Sequence, residues 1–528
     1  QREITDRLGW LTVMNEMAED IGRLQALRDQ VRAEGIRWCV LLGMGGSSLA
    51  PEVMRETFHS ASGQPELIVL DTTDPATISG IQQGIDLSKT LFLVASKSGG
   101  TIETISQYQY FRAQLERLAG DQAGQHFIAI TDAGTKLDQL AQDARFRDIF
   151  RNPSDIGGRY SALSFFGLVP AAIIGVDVAK LLDRARAMAR VCSPGPTTDQ
   201  NPGAWLGTVL GTAARAGRDK VTFVISPPVA TFGSWVEQLI AESTGKEGKG
   251  IVPVVGEDAG APIVYGTDRI FAYLRTQTGF DARQDDAMAA LEAAGQPVVR
   301  ITLQDVYDLG GEFFRWEMAT AVAGSLLGIN AFDQPNVQES KDATDRLLKD
   351  YTANGKLPSP QAILQTESRN VVLYADGPQG EKVRGADSLQ AALERYLSQV
   401  QQGDYIALLA YLRDTSETAA NLQRVRMRLR DMTRKATTTG FGPRFQHSTG
   451  QLHKGGANNG VFIQFTTPDS VDLPIPGAAY SFSVLKQAQA LGDLQTLEAR
   501  GRRVIRIVLR NVDAGLTELL QALGATRV

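Results

Sequence analysis

Trp38-Cys-Val-Leu-Leu-Gly-Met-Gly-Gly-Ser-Ser48 is the stretch of sequence that decides the fold. An apolar run over residues 38–42 leads directly into glycines and serines, and helical spacing follows over residues 49–58. A short apolar run that ends at glycines is typical of a buried strand. The same pattern recurs downstream, with apolar runs at residues 67–70, 91–95 and 127–130 and a helical stretch at 102–118. This alternation predicts a parallel sheet with helices on both faces.

Two further α/β patterns follow this first one. They are separated from it by a stretch dense in turn-forming residues, 193–203, which reads as a linker. The second pattern has apolar runs at 221–225, 251–255, 270–274 and 298–303, and a long apolar helix at 312–327. The third has runs at 371–374, 405–412, 461–465 and 504–509. We therefore predict an α/β protein with domains at 1–192, 204–350 and 351–528.

Composition narrows the class of protein. A chain of 528 residues is too long for one hydrophobic core, and its net charge of -5 favours neither nucleic acid nor an anionic membrane as partner. Two cysteines, Cys39 and Cys192, make neither a disulfide framework nor a metal-ligand spacing, which predicts a reducing cytoplasm. The longest apolar stretch, 162–174, is too short to span a bilayer and reads as a buried helix.

The loop Gly43-Met-Gly-Gly-Ser-Ser48 fits three interpretations. Glycines before a helix let an anion approach the backbone N–H groups. A dinucleotide site would use Asp71, at the end of the next strand, for a ribose, although the third glycine of that fingerprint is absent. A plain tight turn is the third interpretation, and the motif alone does not separate them.

A second loop, Ser96-Lys-Ser-Gly-Gly-Thr101, repeats this logic after the strand at 91–95. Its hydroxyls, backbone amides and lysine suit a phosphate monoester. The alternative without a binding role is an ordinary helix cap with a solvated lysine. The lysine precedes the glycines, so this is not a Walker loop. Two such loops on neighbouring units of one sheet favour a phosphorylated ligand at the carboxyl ends of the strands.

Glu242 and Arg159 are the charged candidates for chemistry. Glu242 ends a helical stretch, 232–242, where the helix dipole opposes a negative charge; a solvated glutamate is the alternative. Arg159 precedes an apolar helix and needs an anionic partner, either a structural carboxylate or a substrate.

The chain contains four histidines, of which His59 and His126 read as structural. His447 and His453 share the polar, glycine-rich stretch Gln446-His-Ser-Thr-Gly-Gln-Leu-His-Lys-Gly-Gly456. Their six-residue separation does not place them on one helix face, so a metal pair is not predicted. The stretch is either a catalytic loop or a polar surface turn.

Five motifs, taken in order, resemble the glucose-6-phosphate isomerase family. They span about residues 38–345 and are jointly specific, although each alone is weak. The segments are Gly43-Met-Gly-Gly-Ser-Ser-Leu-Ala-Pro51, Ser96-Lys-Ser-Gly-Gly-Thr-Ile-Glu-Thr104, Gly157-Gly-Arg-Tyr-Ser161, Glu242-Ser-Thr-Gly-Lys246 and Phe332-Asp-Gln-Pro-Asn-Val-Gln-Glu-Ser-Lys341.

This resemblance implies two sugar-isomerase (SIS) domains with doubly wound parallel sheets, followed by a C-terminal α/β region, and a reaction without cofactor or metal. Glu242 would move a proton between C1 and C2 through a cis-enediol, and Arg159 would stabilise the enediolate. Lys341 would assist ring opening. The implied substrate-binding residues are Gly46, Ser47, Ser96, Lys97, Ser98, Thr101 and Gln334.

The family's ring-opening histidine normally lies between the glutamate and lysine motifs, where this chain has none. The later segment around His447 looks like the missing one, so His447 takes this role, with His453 as its rival. This order resembles the isomerase half of bacterial transaldolase–glucose-6-phosphate isomerase fusions, and the lack of an initiator Met fits a chain cut from one, with the transaldolase domain upstream. A homodimer is also expected.

Glucose 6-phosphate and fructose 6-phosphate are the expected substrates. The alternatives are an isomerase that also accepts mannose 6-phosphate and a non-catalytic sugar-phosphate sensor. A sensor would need the phosphate loops but not Glu242, Arg159 and Lys341 together.

Overall fold

The computed structural model describes residues 2–195 and 197–525. Gln1, Pro196 of the predicted linker and residues 526–528 of the third region lie outside the described residues. The first sheet is five-stranded and fully parallel, in the order β2-β1-β3-β4-β5. Its strands are β1 Trp38–Gly43, β2 Glu66–Leu70, β3 Thr90–Ala95, β4 Phe127–Asp132 and β5 Asp148–Asn152.

Both faces of this sheet are buried, as its continuous apolar runs predict. Along β1, Cys39 and Leu41 belong to one core, and Val40 and Leu42 belong to the core on the opposite face. The first part of the chain contributes the helices α1 Arg2–Thr5, α2 Val13–Glu19, α3 Ile21–Ala33, α4 Leu49–Phe58, α5 Pro75–Gly84, α6 Ile102–Ala119, α7 Lys136–Asp143, α8 Phe165–Ile173 and α9 Val178–Val191.

The second sheet is four-stranded and parallel, in the order β7-β6-β8-β9. Its strands are β6 Lys220–Ile225, β7 Val252–Val254, β8 Arg269–Thr276 and β9 Val298–Leu303. The helices here are α10 Pro202–Arg215, α11 Phe232–Thr244, α12 Ala282–Ala293, α13 Leu309–Leu327 and α14 Val337–Asn354. Leu41 of the first sheet and Phe223 of the second share one core, so the two sheets pack as one body.

The third sheet has six strands in the order β10-β11-β15-β14-β12-β13, with β12 to β15 parallel and β10 and β11 antiparallel. Its strands are β10 Leu364–Gln365, β11 Val371–Tyr374, β12 Tyr405–Tyr411, β13 Ala436–Phe441, β14 Gly460–Thr466 and β15 Arg503–Leu509. The helices are α15 Gly377–Val383, α16 Leu389–Leu397, α17 Ser416–Thr433, α18 Gly450–Gly455, α19 Phe482–Ala499 and α20 Val512–Ala525.

The third region packs against the first sheet through α19. Phe482 and Leu485 of α19 lie in the same core as Val40 and Leu42 of β1. This packing carries residues from near the end of the chain to the carboxyl ends of β1 and β3. No helix within the described segments is long and apolar enough to cross a membrane.

Candidate active site

The two predicted loops begin at adjacent strand ends, because Gly43 of β1 pairs with Ala95 of β3. In the second loop the Ser96 and Thr101 hydroxyl oxygens are 2.9 Å apart. Thr101 directly precedes α6, and its side chain does not cap that helix. Ser96 is buried, whereas Ser98 is exposed. Hydroxyl groups therefore line the N-terminus of α6, where the helix dipole favours an anion.

Lys97 of this loop points elsewhere. Its ammonium group contacts the Asp132 carboxylate and donates a 3.2 Å hydrogen bond to the main-chain carbonyl of Ser154. Burial raises the pKa of Asp132, and the bond from Lys97 opposes this rise. The structure therefore places Lys97 in an ion pair instead of beside the Ser96 and Thr101 hydroxyls.

The first loop brings other chain segments into contact. A side chain at Gly46 would overlap the carbonyl of Gly158, with its Cβ only 2.0 Å from that oxygen. Gly45 has a φ of +55°, and a Cβ there would lie 2.7 Å from the main-chain oxygen of His447. These glycines thus allow the Arg159 and His447 segments to approach. The neighbouring Ser47 is buried, and its hydroxyl has no hydrogen-bond partner in the described part of the chain.

Arg159 is fixed in place by five acceptors although it is only 2% exposed. Its Nη1 lies 3.2 Å from Glu242 Oε1 and donates to Gln334 Oε1 at 3.0 Å. The other acceptors are Ser243 Oγ at 2.7 Å and the main-chain oxygens of Ala331 at 2.7 Å and Asp333 at 3.0 Å. A guanidinium so fully bonded has little freedom to move, so its charge is preorganised beside Glu242.

Glu242 occupies the last turn of α11, as its predicted helix-end position requires. Its second oxygen accepts a 3.0 Å hydrogen bond from Nε2 of Gln238, one turn earlier on the same helix. Nε2 of Gln238 also donates to the main-chain oxygen of His447 at 2.8 Å. A single amide therefore links the Glu242 carboxylate to the histidine segment.

His447 faces a buried carboxylate. Its Nε2 lies 2.8 Å from Glu103 Oε1, and Glu103 sits in the first turn of α6. Burial alone would raise the pKa of Glu103, but the adjacent His447 ring and its hydrogen bond lower it overall. A carboxylate that contacts one ring nitrogen fixes the orientation of the imidazole.

A second buried group holds Glu103. Nε2 of Gln489, on α19, donates to the same Glu103 oxygen at 2.7 Å. Thr73 donates in turn to Oε1 of Gln489 at 2.8 Å, which fixes the orientation of the amide. The C-terminal region thus contributes two residues, His447 and Gln489, to the site.

The rival histidine, His453, lies in an aromatic core. Its ring packs edge-on against Phe462 with centroids 5.1 Å apart and lies 6.4 Å from Tyr405. Burial lowers the pKa of His453 well below its ordinary value. These surroundings are typical of a structural histidine.

A cavity of about 260 Å³ is lined by part of the site, without Glu242 or Arg159. Thr101, Glu103, Lys341 and His447 all line it. Lys341 is an exposed residue on α14. Gln334 is also exposed and meets the group through its bond to Arg159. The cavity thus lies between the hydroxyl-lined loop and the histidine segment.

Asp71 does not serve a ribose in this structure. Both of its carboxylate oxygens accept 2.7 Å hydrogen bonds from the Arg444 guanidinium, which anchors the histidine segment to the first sheet. Asp71 is therefore not available to bind a ribose, because Arg444 already occupies its carboxylate, and the dinucleotide interpretation is not supported. Within residues 2–195 and 197–525, no three or more His, Cys, Asp or Glu residues cluster in a way that could hold a metal ion.

Three polar residues of this site were not predicted from the sequence: Glu103, Lys246 and Gln489. Glu103 stood within the quoted phosphate motif, and Lys246 within the glutamate motif, whereas nothing in the sequence singles out Gln489. Lys246 is buried and donates to Asp333 Oδ1 at 2.7 Å. Burial, followed by the charge of Arg159, lowers the pKa of Lys246 to about 8.

The site combines a hydroxyl-lined anion loop with a glutamate–arginine pair and a carboxylate–histidine pair, on doubly wound parallel sheets. This combination is the one expected of a sugar-phosphate isomerase. The Phosphoglucose isomerase family model matches residues 11–270. A glucose-6-phosphate isomerase from Rubrobacter xylanophilus is 31% identical over 60% of this chain and 83% of its own length. The chain therefore belongs to the glucose-6-phosphate isomerase family.

Other comparisons agree with this family. A probable glucose-6-phosphate isomerase from Methanococcus maripaludis is 29% identical over 66% of this chain and 86% of its own length. The crystal structure of a glucose-6-phosphate isomerase from Chlamydia trachomatis has a TM-score of 0.56 at 23% identity, covering 63% of this chain and 74% of that one. At that identity the likeness supports the fold alone.

Proposed function

We propose that this chain interconverts glucose 6-phosphate and fructose 6-phosphate through a cis-enediol, with Glu242 as the base. The observation that carries the proposal is the contact between Glu242 and the buried, fully bonded Arg159, next to the segment that bears His447. The test is a dehydrogenase-coupled assay for glucose 6-phosphate formed from fructose 6-phosphate. A purified, folded protein without turnover in this assay would overturn the proposal.

Proton transfer follows from the charges at the site. Glu242 takes the proton from C2 of the open-chain aldose and returns it to C1, while the C1 carbonyl oxygen receives a proton and the C2 hydroxyl gives one up. The enediolate formed on the way carries negative charge, and Arg159 is the fixed cation beside the base. Because Arg159 is already held by its acceptors, little reorganisation accompanies the reaction.

Ring opening needs a proton donor at the ring oxygen and an acceptor at the anomeric hydroxyl. His447, supported by Glu103, is the group we assign to this step, since histidine exchanges protons near neutral pH. Lys341 lines the same cavity and would assist by its charge.

The loop hydroxyls should contribute ground-state affinity, since the phosphate is unchanged by the reaction. Ser96→Ala or Thr101→Ala is expected to raise KM more than it lowers kcat. Steady-state kinetics with fructose 6-phosphate measures both constants. If both variants lost kcat at an unchanged KM, the phosphate would have to bind elsewhere.

Ser47 and the exposed Ser98 are the remaining hydroxyls we assign to the phosphate, and Gln334 to the sugar.

Gln489 is expected to act as a positioning residue for the Glu103–His447 pair. Gln489→Met keeps the size of the side chain but removes the hydrogen bond to Glu103, so kcat for cyclic substrate should fall about tenfold, the usual weight of a bond to a charged group. Turnover of an open-chain analogue should change little.

Gln464→Met is the matched control for this variant. Gln464 is also a buried glutamine that bonds to α19, through the main-chain oxygen of Ala490, but it does not contact Glu103. It should lose stability without changing the ratio of cyclic to open-chain turnover. Equal effects of the two variants on that ratio would show that Gln489 has only a structural role.

The remaining assignments concern the alternative functions, the cellular location and the oligomeric state. A non-catalytic sensor is not favoured, because it has no need for the Glu242–Arg159 and Glu103–His447 pairs together, and mannose 6-phosphate is not favoured over glucose 6-phosphate. We assign the protein to the cytoplasm, because Cys39 and Cys192 are free thiols, and we expect a homodimer. On the resemblance of the motif order we also expect a transaldolase domain upstream. Light scattering of the purified protein tests the dimer.

A further inference from the structure

A second cavity, of about 190 Å³, opens at the carboxyl ends of β12 and β14 in the third sheet. Tyr411, the last residue of β12, pairs with Thr466, the last residue of β14. The chain runs from β12 to β13 on one side and then to β14 on the other, so the strand order reverses here. Open α/β sheets bind their ligands at such a switch point. We call this space the Arg506 cavity.

Arg506 lines this cavity without a carboxylate partner. Its Nε donates to Thr466 Oγ1 at 3.2 Å, and its guanidinium lies 5.7 Å from the ring centre of Tyr374. Across the described residues no Asp or Glu forms an ion pair with it, and no hydrogen bond uses Nη1 or Nη2. Burial lowers the pKa of Arg506, in keeping with the lack of a neighbouring carboxylate. A half-buried guanidinium whose Nη1 and Nη2 face a cavity without a partner is suited to bind an anion.

The other cation on the wall, Lys486, is already neutralised. It contacts the Asp74 carboxylate at 2.8 Å and the Asp469 carboxylate as well. The two carboxylates together carry more negative charge than one lysine balances. Burial raises the pKa of Asp469, which favours its neutral form and reduces this excess of negative charge. An anion entering the cavity would therefore bind at the Arg506 side.

A hydroxyl donor lies beside the same guanidinium. Thr466 accepts from Arg506, so its own proton is free to be donated, whereas the Thr467 hydroxyl donates a 3.5 Å hydrogen bond to the main-chain oxygen of Pro468. A bidentate pair with Nη1 and Nη2 occupies both oxygens of a carboxylate, whereas a phosphate has a further oxygen for the Thr466 hydroxyl. A tetrahedral oxyanion matches this set better.

We propose that the Arg506 cavity binds a phosphate group, free or as the monoester of a small metabolite, through Nη1 and Nη2 of Arg506 and the hydroxyl of Thr466. This site is distinct from the loop at Ser96 and Thr101. Its wall borders the catalytic pieces: Tyr411 accepts a 2.7 Å hydrogen bond from Gln446, the residue before His447, and Ala490 follows Gln489.

Tungstate, a tetrahedral heavy-atom analogue of phosphate, provides the test. Wild-type crystals soaked in tungstate should show an anomalous peak within hydrogen-bond distance of Arg506 Nη1 and Nη2, and Arg506→Gln crystals should lack it. A peak at the Ser96 and Thr101 loop in both crystals is the internal control. A peak at that loop with an empty Arg506 cavity in the wild type would overturn the proposal.

Calorimetry separates the sources of the anion. Inorganic phosphate and glycerol 3-phosphate are titrated into the Ser96→Ala/Thr101→Ala protein, whose phosphate loop is weakened. Adding Arg506→Gln should weaken binding about tenfold or more, whereas Arg413→Gln, at an exposed arginine beyond β12, should not. The tighter of the two ligands identifies the source. Tight binding of malonate with none of either phosphate compound would contradict the proposal.

Discussion

Glu242→Gln is expected to lower kcat by about 10²–10⁴, the usual weight of general acid–base catalysis, and to leave sugar-phosphate binding nearly intact. The amide keeps the shape of the carboxylate but cannot take a proton from carbon. Its carbonyl oxygen can still accept from Arg159 or Gln238, so the fold should be preserved. Steady-state kinetics and calorimetry with fructose 6-phosphate measure turnover and affinity separately.

Glu237→Gln is the matched control, since Glu237 lies on the same helix but outside the contacts of Glu242 and Arg159. It should leave kcat within about twofold of the wild type, because it touches no catalytic group. Equal losses in the two variants would indicate damage to α11 and not removal of the base.

His447→Ala is expected to produce the second large effect. Turnover of cyclic glucose 6-phosphate should fall by about 10²–10⁴, because the donor for ring opening is lost and Glu103 keeps only its bond from Gln489. An open-chain substrate analogue bypasses ring opening, so its turnover should fall far less. The ratio of the two rates is the diagnostic quantity.

His453→Phe tests the rival assignment. An aromatic side chain suits the pocket formed by Phe462, Tyr405 and Phe445, so turnover of both substrates should be retained. The thermal midpoint reports any loss of packing. If His453→Phe selectively slowed the cyclic substrate and His447→Ala did not, ring opening would belong to His453.

Buried strands were the most predictable part of the fold. The apolar runs at 38–42 and 91–95 became β1 and β3, because strands covered on both faces must be apolar throughout. The prediction missed β5, which carries Asp148 and Arg151, and β13, which contains three threonines. Both are edge strands with polar residues, and a polar edge strand lacks the continuous apolar run that marks a buried one.

The candidate site was predictable only where a local motif carried it. The loop at Ser96 and the segment at Glu242 are each contiguous, so their residue types and order suffice. Glu103 acquires its role from His447, which is 344 residues away, and from Gln489, which is 386 residues away. No local pattern encodes such a contact, since it depends on α19 packing against the first sheet. Lys97 pairs with Asp132, which is 35 residues away and outside the motif, so its side chain points away from the direction that the motif suggests.

Proton exchange at C2 tests the central assignment most directly. In D₂O the wild-type enzyme should exchange the C2 proton of glucose 6-phosphate with solvent during turnover, because the proton resides on Glu242 while the enediol is bound. NMR of the C2 signal follows this exchange. The Glu242→Gln protein should bind the sugar phosphate yet leave the C2 signal unchanged over the time in which the wild type exchanges it completely. Exchange and isomerisation at the wild-type rate in Glu242→Gln would contradict the role of Glu242 as the base.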